Sequence, residues 1–142
     1  MSDVVLDSSV LAKLVLPEPD SPSADRVADD VASRGDRLVV LDLAFAEVAN
    51  AIWKRRRQRL LDDSDARMAI AELLRFPVHV EPAARLLPQA FEIASRYDRA
   101  VYDALFVAVT ADLRAEGLTA DEPLWSVVRK DFPSVKLLRD YP

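Results

Sequence analysis

Short apolar runs alternate with longer stretches of helical periodicity along this chain. The runs cover residues 4–6, 38–41, 78–80, 118–119 and 135–138. Between them, apolar positions recur every three or four residues, as on the buried side of a helix. The clearest such stripe comprises Phe45, Val48, Ala49, Ile52 and Trp53. Because strands that alternate with helices usually pair in parallel, the pattern predicts an α/β protein with a parallel sheet.

Polar residues and glycines indicate where several helices begin and end. Ser8 or Ser9 is expected to cap the first helix, and Asp42 the third, which runs towards residue 59. The sixth helix is predicted from about residue 99 to residue 116, with Gly117 ending it. Its segment 100–109 is apolar except for Asp103, which is typical of a buried helix.

Length and composition exclude several classes of protein. The 142 residues predict one domain, 1–142. Two widely separated glycines cannot build a Walker-type phosphate loop or a dinucleotide-binding fingerprint. The chain has no Cys and one His, which excludes disulfides and thiolate metal sites and disfavours histidine-based zinc or triad chemistry. A net charge of −5 argues against non-specific binding of nucleic acid through bulk charge.

The chain carries no sign of a membrane segment. No apolar run approaches the ~20 residues that cross a bilayer. The first seven residues contain two acids and no basic residue, unlike a secretory signal. We therefore expect a cytoplasmic protein without a membrane partner.

Among 24 carboxylates, burial cost and position single out a few. An ionised carboxylate among apolar residues is costly unless it is paired, hydrogen-bonded or metal-bound. Asp7 lies between two apolar segments and Asp103 inside the most apolar helix, whereas Glu47 shares a polar stripe with Asn50. Asp121 follows the fourth predicted strand closely.

These four acids are predicted to meet although they are far apart in sequence. In a parallel sheet with right-handed crossovers, the carboxyl ends of the strands and the starts of the following helices share one edge. Asp7 and Asp121 follow strands, while Glu47 and Asp103 lie in the first turns of helices that leave that edge. Crowded carboxylates repel one another unless a cation is present, and hard ions such as Mg²⁺ or Mn²⁺ prefer oxygen ligands. Such a site suits phosphoryl chemistry.

Four short blocks of the sequence resemble the acidic motifs of PIN-domain ribonucleases, and more narrowly of VapC-type toxins. The blocks are LDSSVL at 6–11, AEVANA at 46–51, YDAL at 102–105 and LTAD at 118–121. The resemblance covers the whole chain in order and spacing. It implies a three-layer α/β/α fold with a five-stranded parallel sheet of order 3-2-1-4-5.

The same resemblance implies an activity and its partners. The activity is that of an endoribonuclease dependent on Mg²⁺ or Mn²⁺, which cleaves RNA phosphodiester bonds with a metal-activated water. The partners are a cognate VapB-like antitoxin and a second copy of the chain, as a homodimer.

The resemblance also assigns roles to individual residues. Asp7, Glu47, Asp103 and Asp121 match the catalytic, metal-binding acids of the family, and Ser9 and Thr119 match its hydroxyl positions. Asn50, one turn beyond Glu47, is placed to orient that acid or a water. Whether one or two ions bind, and whether Asp121 or its neighbour Glu122 is the fourth acid, stays open.

Each acid also has a purely structural interpretation. Asp7 could cap the first helix, Glu47 could be a solvated helix acid, Asp103 could pair with an Arg, and Asp121 could lie in a turn. The basic run 54–59 could complement the helix dipole or bind RNA phosphates, and Trp53 and Tyr102 are expected in the core. Functional alternatives are a non-catalytic PIN-like binding module, a haloacid-dehalogenase-like phosphatase and a receiver domain. The phosphatase would need an Asp where Ser9 stands.

Overall fold

The computed structural model covers residues 1–142 and shows a parallel sheet between two layers of helices. The strands are β1 (Asp3–Leu6), β2 (Arg37–Leu41), β3 (His79–Glu81), β4 (Glu116–Thr119) and β5 (Val135–Leu137). The helices are α1 (Ser8–Lys13), α2 (Ser21–Ser33), α3 (Leu43–Arg57), α4 (Asp63–Arg75), α5 (Leu87–Tyr97), α6 (Val101–Asp112) and α7 (Glu122–Val128). None of the helices is long and apolar enough to cross a membrane.

The sheet order confirms the sequence-based prediction. The strands lie in the order β3-β2-β1-β4-β5, and every neighbouring pair is parallel. The chain leaves β1 towards β2 on one side and later returns to place β4 on the other side. The order therefore reverses at β1, and the carboxyl ends of β1 and β4 flank the crevice where such folds bind ligands.

Two apolar cores cover the two faces of the sheet. Val4 and Leu6 of β1 face a cluster formed with α1, α2, α3 and α4. Val5 of β1 faces a second cluster, formed mainly with α5 and α6. Because side chains alternate along a strand, a continuous apolar run fills both layers at once. This packing fixes the position of β1 between the two helix layers, and thereby the position of Asp7, which follows it.

Side chains cap the helices α1, α3 and α7, which follow β1, β2 and β4 directly. Asp42 accepts a hydrogen bond from the backbone N–H of Leu43 at 2.8 Å, which confirms it as the cap of α3. The expected cap of the first helix was wrong, because Asp7 and not Ser8 or Ser9 caps α1. The two serine side chains are left for other contacts.

The predicted limits of the sixth helix were too wide. The helix α6 begins at Val101 and ends at Asp112, and the chain then turns through Arg114 at a φ of 52°. Asp98 does not begin this helix but ends α5 in the left-handed conformation. Arg114 thus makes the left-handed turn expected of Gly117, which instead lies inside β4.

Gly117 is required by close packing. A Cβ at this position would lie 2.4 Å from Thr110 Oγ1 and 3.0 Å from Phe106 Cζ, both on α6.

We predict that Gly117→Ala lowers the free energy of unfolding by about 1–3 kcal/mol, since overpacking forces neighbours apart. Urea denaturation measures this, with Thr110→Ala as the second member of a double-mutant cycle. Equal costs of Gly117→Ala in both backgrounds would contradict the explanation, because Thr110 supplies the nearest contact.

Candidate active site

Asp7 follows β1 directly and is held by three hydrogen bonds. Its Oδ1 accepts from the backbone N–H of Ser8 at 2.9 Å. Its Oδ2 accepts from the hydroxyl of Ser9 at 2.9 Å and from that of Thr119 at 2.7 Å. Burial raises the pKa of Asp7 above its ordinary value, the three hydrogen bonds oppose this, and the charge of Asp103 adds to the rise.

The two hydroxyls also connect the end of β1 to the loop after β4. Thr119 Oγ1 accepts from the backbone N–H of Asp121, and Ser9 Oγ accepts from that of Ala120, both at 3.0 Å. Each hydroxyl therefore donates to Asp7 and accepts from the loop. This arrangement presents Asp7 with two donors and fixes the direction of its carboxylate.

Asp103 and Asp121 meet through a guanidinium that the sequence prediction did not include. Arg99 Nη2 lies 3.0 Å from Asp103 Oδ2 and 3.5 Å from Asp121 Oδ2. The other oxygen of Asp121 accepts from the backbone N–H of Leu124 at 3.0 Å and caps α7. Asp121 is thus fixed at one oxygen by the backbone and paired at the other by Arg99.

Glu47 faces the same crevice from α3. Together with Asp121 it lines a cleft of about 370 Å³, and with Asp7 it lines a smaller pocket. Partial burial and the charges of Asp7 and Asp103 raise the pKa of Glu47 from 4.5 to about 7. The negative charges of three acids therefore act on one another at this edge of the sheet.

The donor atoms at this edge fit a hard divalent cation. They are carboxylate and hydroxyl oxygens, which Mg²⁺ and Mn²⁺ prefer, and the repulsion felt by Glu47 is of the kind that a cation relieves. As arranged here, no three Asp, Glu or His side chains gather closely enough to hold a metal ion. Asp103 and Asp121 instead direct their Oδ2 atoms to Arg99.

The structure separates the two candidates for the fourth acid. Glu122 is exposed, and its carboxylate accepts from the guanidinium of Arg139 at 3.0 and 3.1 Å. Asp121 lies in the network around Thr119 instead. Asn50 is exposed on α3, one turn beyond Glu47, and does not belong to that network.

The basic run at the end of α3 is largely engaged in contacts within the protein. Arg55 pairs with Glu18 at 3.1 Å, and Arg56 with Asp63 at 2.8 Å. The guanidinium of Arg57 stacks over Trp53. These contacts favour the structural interpretation of the run.

Two aromatic side chains were wrongly expected in the core. Trp53 is 48% exposed and Tyr102 is 67% exposed. On α3 the buried residues are Ala44, Val48 and Ile52, so the apolar stripe of that helix is narrower than its periodicity predicted.

Arg99 is the residue of the site that sequence reasoning missed. The available signal was its spacing of four from Asp103, the separation at which opposite charges meet on a helix. The structural alternative for Asp103, pairing with an Arg, is thus realised. The link from Arg99 to Asp121 could not be read from spacing, because the two residues meet only through the fold.

The raised pKa of Glu47 predicts that Glu47→Gln increases the free energy of unfolding in a pH-dependent way. With a pKa near 4.5 unfolded and about 7 folded, wild-type stability is lost relative to the variant as the pH rises from 4.5 to 7. In EDTA we expect the variant to be more stable by about 1 kcal/mol at pH 8, after discounting for solvent screening, and equal at pH 4. Urea denaturation at both pH values measures this. Glu92→Gln, exposed on α5, is the control, and an equal gain in both variants would contradict the cause.

The sequence and the fold both match known proteins. The chain matches the family model described as PIN domain over residues 4–130. It is 37% identical to Ribonuclease VapC3 of Pyrobaculum aerophilum over 123 residues, which are 85% of this chain and 91% of that protein.

Among solved structures, the fold resembles that of PAE2754 from Pyrobaculum aerophilum, with a TM-score of 0.73 at 20% identity. The match covers 97% of this chain and 85% of the other. VapC20 of Mycobacterium tuberculosis, described as a sarcin-ricin loop cleaving toxin, gives a TM-score of 0.61 at 24% identity, covering 80% and 85%. These two likenesses show the fold, whereas the family model and the VapC3 match show descent. The chain belongs to the PIN-domain family, among the ribonucleases of the VapC type.

Proposed function

We propose that this protein is an endoribonuclease that depends on Mg²⁺ or Mn²⁺ and acts as the toxin of a VapBC-like toxin–antitoxin pair. The observation that carries the proposal is the oriented carboxylate of Asp7 at the point where the strand order reverses. The charges of Asp7, Glu47 and Asp103 act on one another, and Asp121 is linked to Asp7 through Thr119. The kinship with Ribonuclease VapC3 supports RNA as the substrate.

The four acids have distinct parts in this proposal. Asp7 and Asp103 would hold the principal ion, and Glu47 and Asp121 would complete its surroundings. When bound, the ion would activate a water and neutralise charge on the attacked phosphate. The chain contributes oxygen ligands and no nucleophile of its own.

Ser9 and Thr119 act as positioning residues. Both hydroxyls donate to Asp7 Oδ2 and are themselves held by backbone N–H groups of the loop after β4. Because these contacts fix the carboxylate of Asp7 before any ion arrives, this ligand needs little reorganisation on binding. Partial burial of the site strengthens the attraction between its negative charges and a cation.

The cleft beside Glu47 is the proposed path for the RNA backbone. It is bordered by α1, α3 and the loop after β4, and it reaches Asp121. A net charge of −5 repels a polyanion at long range, so binding there depends on local contacts and on the ion.

The proposed partners follow from the same kinship. A cognate VapB-like antitoxin and assembly as a homodimer are proposed for this chain. Toxin–antitoxin complexes of Klebsiella pneumoniae and Rickettsia felis share the fold, at 13% and 11% identity, and are compatible with such partners.

Asp7→Asn tests the catalytic proposal. The amide retains an oxygen for the N–H of Ser8 and can adapt to the two hydroxyls, so we expect the variant to fold. Loss of the negative charge should lower the rate of RNA cleavage by about 10²-fold or more. A fluorescent RNA cleavage assay with purified protein in Mg²⁺ or Mn²⁺ measures the rate.

The control is Asp25→Asn, which removes the same charge from the exposed surface of α2. It should leave the rate unchanged. Cleavage by Asp7→Asn at the wild-type rate, or wild-type cleavage that persists in EDTA, would refute the mechanism. Binding of metal without any cleavage would favour the non-catalytic binding module.

Metal binding should also stabilise the folded protein. An ion that binds only the native state adds about 2.7 kcal/mol at a hundredfold excess over its Kd. We therefore expect the melting temperature to rise with Mn²⁺ concentration in the wild type and to respond much less in Asp7→Asn. Differential scanning fluorimetry measures both. A wild-type melting temperature that does not change with Mn²⁺ concentration would contradict the proposed metal site.

A further inference from the structure

We propose that Arg99 is an internal counter-ion of the site: its guanidinium holds Asp103 and Asp121 in the metal-free protein and releases them when a divalent ion binds. The inference rests on the proposed function, because it concerns the same metal site. It adds a residue that restrains the affinity of that site for its ion.

Arg99 lies between α5 and α6 and reaches two acids that belong to different parts of the chain. The same atom, Nη2, lies 3.0 Å from Asp103 Oδ2 and 3.5 Å from Asp121 Oδ2. The side chain of Arg99 is 26% exposed and each carboxylate is 31% exposed, so water screens these contacts only in part. A single positive charge therefore stands between two of the proposed ligands.

One hydrogen-bond donor of Arg99 is left without a partner. Arg99 Nε is buried and has no hydrogen-bond partner. Leaving such a donor without a partner is unfavourable, so the guanidinium is not fully satisfied where it lies. Its described contacts to acids are the two with Asp103 and Asp121. If an ion takes over those carboxylates, little holds Arg99 in place.

Arg99 and a divalent ion would compete for the same carboxylate oxygens. Asp121 Oδ1 is occupied by the cap of α7, so Oδ2 is its free ligand atom, and Arg99 occupies that atom. Asp103 also offers its Oδ2 to Arg99. A divalent ion bound to these oxygens would lie beside a positive charge, and the two cations would repel each other. The contacts of Arg99 therefore weaken binding of the ion, and binding of the ion favours release of Arg99.

A purely structural role for Arg99 would have a different consequence. If the residue only joined the linker before α6 to the loop after β4, its loss would destabilise the protein and disorder the acids. Affinity for metal would then fall or stay the same. Competition predicts the opposite, since removing the internal cation frees both carboxylates and increases their mutual repulsion.

The experiment compares Mn²⁺ dissociation constants, measured by isothermal titration calorimetry, for the wild type, Arg99→Gln and Arg99→Lys. We expect Arg99→Gln to bind Mn²⁺ about tenfold more tightly, equivalent to 1.4 kcal/mol. Arg99→Lys keeps the charge and should remain near the wild type. The matched control is Arg96→Gln, which removes the same charge from an exposed arginine paired with Asp131 at 3.2 Å, and its affinity should not change.

The outcomes separate this inference from the proposed function. Tighter binding by Arg99→Gln alone supports the inference, also where the wild type binds no detectable Mn²⁺. Wild-type binding with an equal or weaker affinity in Arg99→Gln overturns the inference and leaves the proposed function standing. Absence of binding in every variant overturns both.

A second measurement does not depend on the folding of Arg99→Gln. In ¹H–¹⁵N spectra of the wild type, the Nε–H signal of Arg99 is assigned by its loss in Arg99→Lys. Saturation with Mg²⁺ should shift this signal and leave the signal of Arg96 in place. An Arg99 signal that does not move at saturation overturns the inference.

Discussion

Repulsion between carboxylates at the carboxyl edge of the sheet is the constraint on which this site depends. Partial burial raises the pKa of Glu47, and the charges of Asp7 and Asp103, which the fold brings near, add to the rise and take it to about 7. Without an external cation, the protein offsets the repulsion with its own groups. Two hydroxyls and a backbone N–H serve Asp7, and the guanidinium of Arg99 serves Asp103 and Asp121. The network therefore lets the protein fold with these acids close together, and it also orients them for binding a cation.

The proposed metal ligands Asp7 and Asp121 also have structural roles. Asp7 caps α1 and Asp121 caps α7 through their Oδ1 atoms, and in each the Oδ2 atom takes no part in the backbone cap. A cap fixes the carboxylate relative to the backbone, and the backbone is fixed by the two cores. The structural interpretations weighed from the sequence are consequently not rivals of the functional one. A carboxylate that caps a helix at this edge is one whose second oxygen has a defined direction.

Sequence reasoning succeeded where the pattern depends on local periodicity and on the handedness of crossovers. The parallel sheet and the approach of Asp7 to the end of β4 follow from those rules, whereas the strand order came from the resemblance to PIN-domain ribonucleases. It failed where tertiary contacts decide. The left-handed turn after α6 is made by Arg114, and Gly117 is needed in β4 because Thr110 leaves no space for a Cβ. Neither fact is encoded in the neighbouring residues alone. The exposure of Tyr102 was missed for the same reason, since aromatic content does not specify which side of a helix is covered.

The position of Arg99 explains how the fold can pair these acids and still leave them available to a metal ion. Asp98 ends α5 in the left-handed conformation, and the chain then runs through Arg99 to the start of α6. A side chain on this short linker reaches the site, while its backbone lies outside the helices that carry the acids. Because the backbone of Arg99 belongs to neither α6 nor α7, release of its guanidinium does not require either helix to move. A residue within either helix would be tied to the packing of the core. Pairing from the linker thus makes the counter-ion separable from the scaffold, which is what exchange with a metal ion requires.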